Sequence, residues 1–169
     1  MQTRCLHCTR GFTLIELLVV VVIIGIMVSF ATLSLGNNEA RQAQETADRL
    51  QALVELAKEE ALFDSENIGI LFWHEGYAFY HMKNQQWAPM TGDMEFRPRS
   101  LPEGLTIALY LEGLKAELPG RLGQRKRPQV FILSSGEVTP FEVEIGVGAT
   151  TVRLTADALG NLASDSQGL

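Results

Sequence analysis

Residues 12–35 form a run of 24 residues with one ionisable side chain, Glu16. As a helix such a run is about 36 Å long, enough to cross a hydrocarbon core of ~30 Å. Its Val and Ile content favours strand in water. In lipid the backbone must satisfy its own hydrogen bonds, so a single segment crosses as helix. Arg4 and Arg10 precede the run with no acid among them, which by the positive-inside rule keeps the short N-terminus cytoplasmic and sends the rest of the chain to the other side. With 20% of residues charged, the mean hydropathy is still +0.08, and this segment is where the excess apolarity sits.

A secretory signal peptide has a shorter apolar core followed by a small-residue cleavage site; this run is too long and no such site follows closely. A plain anchor fits the length but not Glu16, because a carboxylate in an apolar span is costly and is functional by default. The stretch Arg10-Gly11-Phe12-Thr13-Leu14-Ile15-Glu16 resembles the processing site of type IV pilin-like proteins. The resemblance implies a leader, residues 1–11, cut between Gly11 and Phe12 by a prepilin peptidase. It implies N-methylation of Phe12, and makes Glu16 the fifth residue of the processed chain. Glu16 is then expected to serve assembly, and residues 12–36 to be the transmembrane half of a long helix.

Cys5-Leu6-His7-Cys8 has the spacing of a redox pair or half a zinc site. No second pair exists, and both thiols fall in the expected leader. Processing would leave a chain without cysteine. Lys plus Arg would fall from 14 to 12 against 20 acids, a side-chain charge of −8.

Gly36-Asn37-Asn38 is a soft point where a helix can bend. Beyond it Ala40, Ala43, Ala47, Leu50, Val54, Ala57 and Ala61 recur at helical spacing, broadened by Leu53. The stripe predicts a helix face packed on a sheet, with helix running to about Phe63. After Asp64-Ser65-Glu66-Asn67 the pattern turns to strands. A hairpin is expected from 68–73 and 77–82 around His74-Glu75-Gly76, then a turn at 83–86, strand at 87–90 and extended chain at 96–99. Leu105, Ile107, Leu109 and Leu111 alternate, as do Thr139, Phe141, Val143 and Ile145. Short strands are expected at 130–133 and 151–156, a turn at 146–148, and a frayed polar tail at 164–169. About seven strands after one long helix predict an α+β fold, the helix laid on antiparallel β-sheet.

Further stretches carry a narrower resemblance: Leu56-Ala57-Lys58-Glu59-Glu60-Ala61, Gly76-Tyr77-Ala78-Phe79, Trp87-Ala88-Pro89, Arg97-Pro98-Arg99-Ser100-Leu101-Pro102-Glu103-Gly104-Leu105, and Pro128-Gln129-Val130 leading to Ser134-Ser135-Gly136-Glu137-Val138-Thr139-Pro140-Phe141. They are similar to the GspH group of type II secretion minor pseudopilins. The resemblance implies the pilin-like fold and a single-pass protein of the bacterial inner membrane, with residues 37–169 as a periplasmic domain. It also implies a structural place near the tip of the pseudopilus, in support of export of folded proteins across the outer membrane. The implied partners are the other minor pseudopilins, the major pseudopilin, the prepilin peptidase, the inner-membrane assembly platform and the membrane itself. FimT-like minor pilins, which serve DNA uptake in type IV pili, share the layout and form the second reading.

No catalytic site, metal site or cofactor is expected. His74 and His81 lack helical metal-ligand spacing. Ser134-Ser135-Gly136-Glu137 is not a nucleophile elbow and reads as a turn. Gly146-Val147-Gly148 lacks the strand-to-helix setting of a phosphate cradle. Glu59 and Glu60 read as a solvated helix surface. Trp73, Tyr77, Phe79, Tyr80 and Trp87 read as cross-strand packing. The one basic cluster, Arg121, Arg125, Lys126 and Arg127, lies in a loop punctuated by Pro and Gly. A solvated loop is the default there, and a docking surface for acidic partners or anionic lipid the functional option. Nucleic acid is not expected as a partner, given the net acidic chain and a loop without aromatics.

Overall fold

The computed structural model describes residues 12–92, 94–147 and 150–167, without the side chains of 28–37, Val147 and Gln167. Its first element, α1 (Leu14–Asp64), is followed by strands only. The chain divides into two compact units, Met1–Asn37 and Asn38–Leu169. In the first, the described side chains from Leu14 to Met27 are exposed and almost all apolar. Among the described residues no helix is long and apolar enough to cross a membrane. The expected span of 12–36 extends past Met27, beyond the described side chains.

In the second unit the helical stripe is buried from Ala43 onward as its spacing predicts, while Ala40 at its start is only half-buried. Ala43, Ala47, Leu50, Val54, Ala57 and Ala61 are fully buried in the main core cluster, with Leu53 beside them. Alanines at one face let a helix lie close on a sheet, and they lose little side-chain entropy on burial. Arg41, Glu45, Asp48 and Glu55 fall on the exposed side.

Two antiparallel five-stranded sheets stand where one sheet was expected. The first contains β1 (Ile68–Trp73), β2 (Gly76–Lys83), β3 (Gln86–Pro89), β4 (Arg99–Ser100) and β7 (Val130–Ile132). Its order is β3-β2-β1-β7, with β4 also on β2. The second contains β5 (Thr106–Leu111), β6 (Leu114–Lys115), β8 (Phe141–Val147), β9 (Thr150–Ala156) and β10 (Leu162–Gln167), in the order β10-β9-β8-β5-β6. The inner residues of both sheets, among them Ile70, Phe72, Phe79, Leu109, Val143 and Leu154, join the helix face in one core.

The expected hairpin at 68–82 forms, with Trp73 opposite Gly76. The turn at 83–86 is a two-residue loop with Asn84 and Gln85 both at positive φ (49° and 63°), the geometry that matches strand twist.

Four expectations need correction. The chain at 96–99 is extended only from Arg99; Phe96 lies in a turn with its ring buried against Phe79. A strand not foreseen, β6, follows β5 through Glu112 and Gly113, again both at positive φ. The tail at 164–169 is not frayed as far as it is described: Leu162–Gln167 pairs with β9 along its whole length. Its side chains are mostly exposed, so backbone hydrogen bonds, not burial, hold this edge strand. The turn expected at 146–148 begins later, because Gly146 and Val147 are still paired in β8; residues 148–149 lie outside the described ones.

All six residues of β1 are buried, as in strands covered on both faces. Ile68, Ile70 and Phe72 face the main core. Leu71 and Trp73 face a second cluster with Ala78 and Tyr80, flanked by Trp87. Gly69 is required there: a Cβ would stand 2.6 Å from Pro128 and 2.9 Å from the Trp87 ring.

Candidate functional site: the start of the helix

The first described residues set the geometry of the expected processing site. Phe12 precedes the helix and is 72% exposed. Thr13 caps it: its carbonyl accepts from Glu16 N–H at 3.1 Å and Leu17 N–H at 3.2 Å. Its Oγ1 accepts from Glu16 N–H at 3.3 Å. Thr13-x-x-Glu16 therefore has the form of a capping box, in which a Glu three residues past the cap can reach back to the cap's own N–H. Sequence reasoning passed over Thr13, although the T-x-x-E spacing was legible. Glu16 lies in the first turn and is exposed, next to the positive end of the helix dipole. Around it Leu14, Ile15, Leu17 and Leu18 are all more than half exposed. A carboxylate among bare apolar side chains is a surface made to be covered. Gly11, Cys5 and Cys8 lie outside the described residues.

The other candidates are dispersed. His74 sits in the β1–β2 turn, where its Nδ1 lies 3.2 Å from the carbonyl of Pro119 and its backbone N–H donates to the same oxygen at 3.3 Å. His81 is at the far end of the hairpin, opposite Ile68. Ser134-Ser135-Gly136-Glu137 forms a turn closed by Leu133 N–H on Glu137 C=O at 2.8 Å, with Gly136 at φ 90°. Among the described residues no group of three His, Cys, Asp or Glu side chains is placed to hold a metal ion.

Ionisable groups gather on the outer face of the second sheet. Arg153 bridges Glu142 at 3.0 Å and Glu144 at 2.8 Å, and Tyr110 Oη donates to Glu144 at 3.1 Å. That hydrogen bond, with the Glu144 charge, raises the Tyr110 pKa above the ordinary phenol value. Both carboxylates are engaged, and the arrangement ties β5, β8 and β9 together. Tyr77 is raised chiefly by burial, opposed by the charges of Arg99 and Arg49. The basic cluster is exposed throughout 120–127.

Comparison with known proteins agrees with this layout. Residues 6–32 match the model of the prokaryotic N-terminal methylation motif, and residues 46–160 match that of the type II transport protein GspH. Type II secretion system protein H of Pseudomonas aeruginosa is 33% identical over 149 residues, covering 83% of this chain and 84% of that protein. Its counterpart from Aeromonas hydrophila is 30% identical, covering 92% and 93%. The structure of the minor pseudopilin EpsH from the Type 2 Secretion System of Vibrio cholerae superposes with a TM-score of 0.65 at 27% identity. That superposition covers 76% of this chain and 98% of EpsH.

Proposed function

The chain belongs to the GspH family of type II transport proteins and is a minor pseudopilin of a type II secretion system, and from that premise we propose how its N-terminus is matured and used. A prepilin peptidase cuts between Gly11 and Phe12, and Phe12 is then N-methylated. Residues 12–36 anchor the processed chain in the bacterial inner membrane as a single pass, with 37–169 in the periplasm. Glu16 serves assembly with the neighbouring pseudopilins, minor and major, on the inner-membrane platform. The subunit stands near the tip of the pseudopilus and supports export of folded proteins across the outer membrane. It acts by position and packing and catalyses no reaction.

One observation carries this reading: a methylation-motif match over 6–32 sits on the same chain as the GspH match over 46–160. The geometry supports it, since Phe12 lies exposed ahead of the Thr13 cap, where a peptidase and a methylating group have access. The reading as a FimT-like pilin for DNA uptake gives way, because the curated relatives matched are type II secretion protein H.

Mass spectrometry of the membrane-extracted protein tests the proposal. The expected N-terminus is methylated Phe12. A mature chain that begins at Met1, or beyond the apolar run, would refute it.

A further inference from the structure

Four of the chain's 14 lysines and arginines fall within seven residues: Arg121, Arg125, Lys126 and Arg127. No Asp or Glu occurs between Glu117 and Glu137. The chain as a whole carries a net charge of −6. Outside the loop, Arg41 pairs with Glu45, and Arg153 with Glu142 and Glu144. Arg121, Arg125, Lys126 and Arg127 form no ion pair among the described residues.

The loop is held where it stands. At its start the Pro119 carbonyl accepts from the His74 backbone. At its end Pro128 lies over Gly69, and the Gln129 side chain is bonded to Phe72. Gln124 Oε1 draws in its tip, accepting from Gly120 N–H at 2.9 Å and Arg121 N–H at 3.3 Å. The Arg127 guanidinium lies 5.8 Å from the Phe131 ring centroid, and that ring packs on Trp87 at 5.5 Å. The loop is thus anchored beside β1 and at the turn that follows it, and its four cations are exposed.

Beneath them is a hollow of about 380 Å³, lined by Arg125, Arg127, Glu117, Leu111, Ala116 and Phe131 among others. Two guanidiniums beside an apolar wall select the occupant. A DNA duplex or a lipid headgroup layer presents phosphates outward with bases or acyl chains turned inward, so it has nothing to place on Leu111 and Phe131. A polypeptide can place carboxylates on the arginines, a flanking apolar side chain on Leu111 and Phe131, and an amide N–H toward Glu117.

We propose that the 121–127 loop and the hollow below it form a docking site for an acidic, apolar-flanked segment of a partner protein. Arg125 and Arg127 take the carboxylates. The site does not depend on how the N-terminus is processed.

The test uses the full chain in detergent micelles and a fluorescein-labelled peptide, Gly-Asp-Phe-Glu-Asp-Leu-Gly, read by anisotropy. The peptide is expected to bind, and more weakly as NaCl rises from about 50 to about 300 mM. The double variant R125E/R127E should weaken it about tenfold or more, with an unchanged circular dichroism spectrum. R121E/K126E, outside the hollow's lining, should cost about threefold at most. A peptide of equal charge with Gly in place of Phe and Leu should bind at least about fivefold more weakly. No binding of the first peptide, equal binding of the second, or indifference to R125E/R127E overturns the proposal. So does duplex DNA displacing the peptide at lower concentration than unlabelled peptide does.

Discussion

The Gln129 side chain is bonded twice to the backbone of Phe72: Phe72 N–H donates to Oε1 at 2.9 Å, and Nε2 donates to the Phe72 carbonyl at 2.9 Å. A side-chain amide thus takes the place of a peptide group, just where β7 begins beside β1. Gln129 is itself buried, 6% exposed, so water cannot replace it.

Gln129→Met should therefore destabilise the domain. It keeps volume but strands a buried N–H and a buried C=O, each costing about 1–3 kcal/mol. Thermal unfolding of the full chain in detergent should show a drop of several degrees, along with faster hydrogen exchange at Phe72. An unchanged midpoint would mean that the β1–β7 ladder holds without this clamp.

Two glycines separate close approach from backbone strain. A Cβ at Gly76 would run into the Arg99 carbonyl and the Trp73 ring. Gly76→Ala must push β4 away from β2, at a cost of about 1–3 kcal/mol. Gly104 has open space around it but sits at φ 88°, so Gly104→Ala meets only the left-handed penalty of about 1–2 kcal/mol. The two should also differ in kind, which NMR chemical shifts can read. Gly76→Ala should move resonances of Trp73 and Arg99, and Gly104→Ala only those of its own turn.

Asp157 closes the β9–β10 turn. Its Oδ2 accepts from Asn161 Nδ2 at 2.7 Å, and its Oδ1 accepts from the N–H groups of Asn161 and Leu159 at 2.8 and 2.9 Å. These bonds, the Asn161 side chain foremost, hold the carboxyl below the ordinary carboxylate value. A lowered native pKa gives stability that is present above the unfolded-state value, about 4, and lost as pH falls through the native one. Asp157→Ala should unfold at lower temperature than wild type at pH 7, and the two midpoints should converge in acid. A gap that stays constant down to the lowest pH would show that the charge of Asp157 contributes nothing.

What was legible in the sequence follows from what each residue does. Ala43 to Ala61 repeat at helical spacing because one face is buried, and Ile107 and Leu109 alternate because one side of β5 is. Such patterns record burial. The β10 strand carries Leu-Ala-Ser-Asp-Ser-Gln, packs only Leu162 against the core, and as an edge strand is held by its backbone pairing with β9; no apolar alternation marks it. The two sheets were read as one, since alternation tells which face is inside but not which strands are neighbours. Gln129 was invisible for a related reason: a polar residue beside Pro128 reads as loop, and only the fold brings Phe72 to it. At the candidate site, the spacing from Gly11 to Glu16 was legible because it is a local, linear signal. The Thr13 cap lay in the same stretch, unused although the T-x-x-E pattern is there.

The cap bears on what Glu16 is for. Thr13 Oγ1 accepts from Glu16 N–H, which places the carboxylate at the helix start, where it can serve its own helix or a neighbour. If Glu16 only finished a capping box, Thr13→Val and Glu16→Gln would do similar, small harm, on the order of 1 kcal/mol in helix stability. An assembly role separates them. A carboxylate set among apolar residues costs about 2.5–3.5 kcal/mol on insertion scales when unpaired, so it seeks a cation. Cleavage after Gly11 would supply one, the amine of Phe12, on the same chain or on the next. Thr13→Val should therefore be processed and should crosslink to neighbouring pseudopilins at close to wild-type yield. Glu16→Gln and Glu16→Ala should stay membrane-inserted and be cleaved, yet lose most of that crosslinking and impair secretion. If both Glu16 variants are cleaved, co-assemble and secrete like wild type, Glu16 does no more than cap its helix.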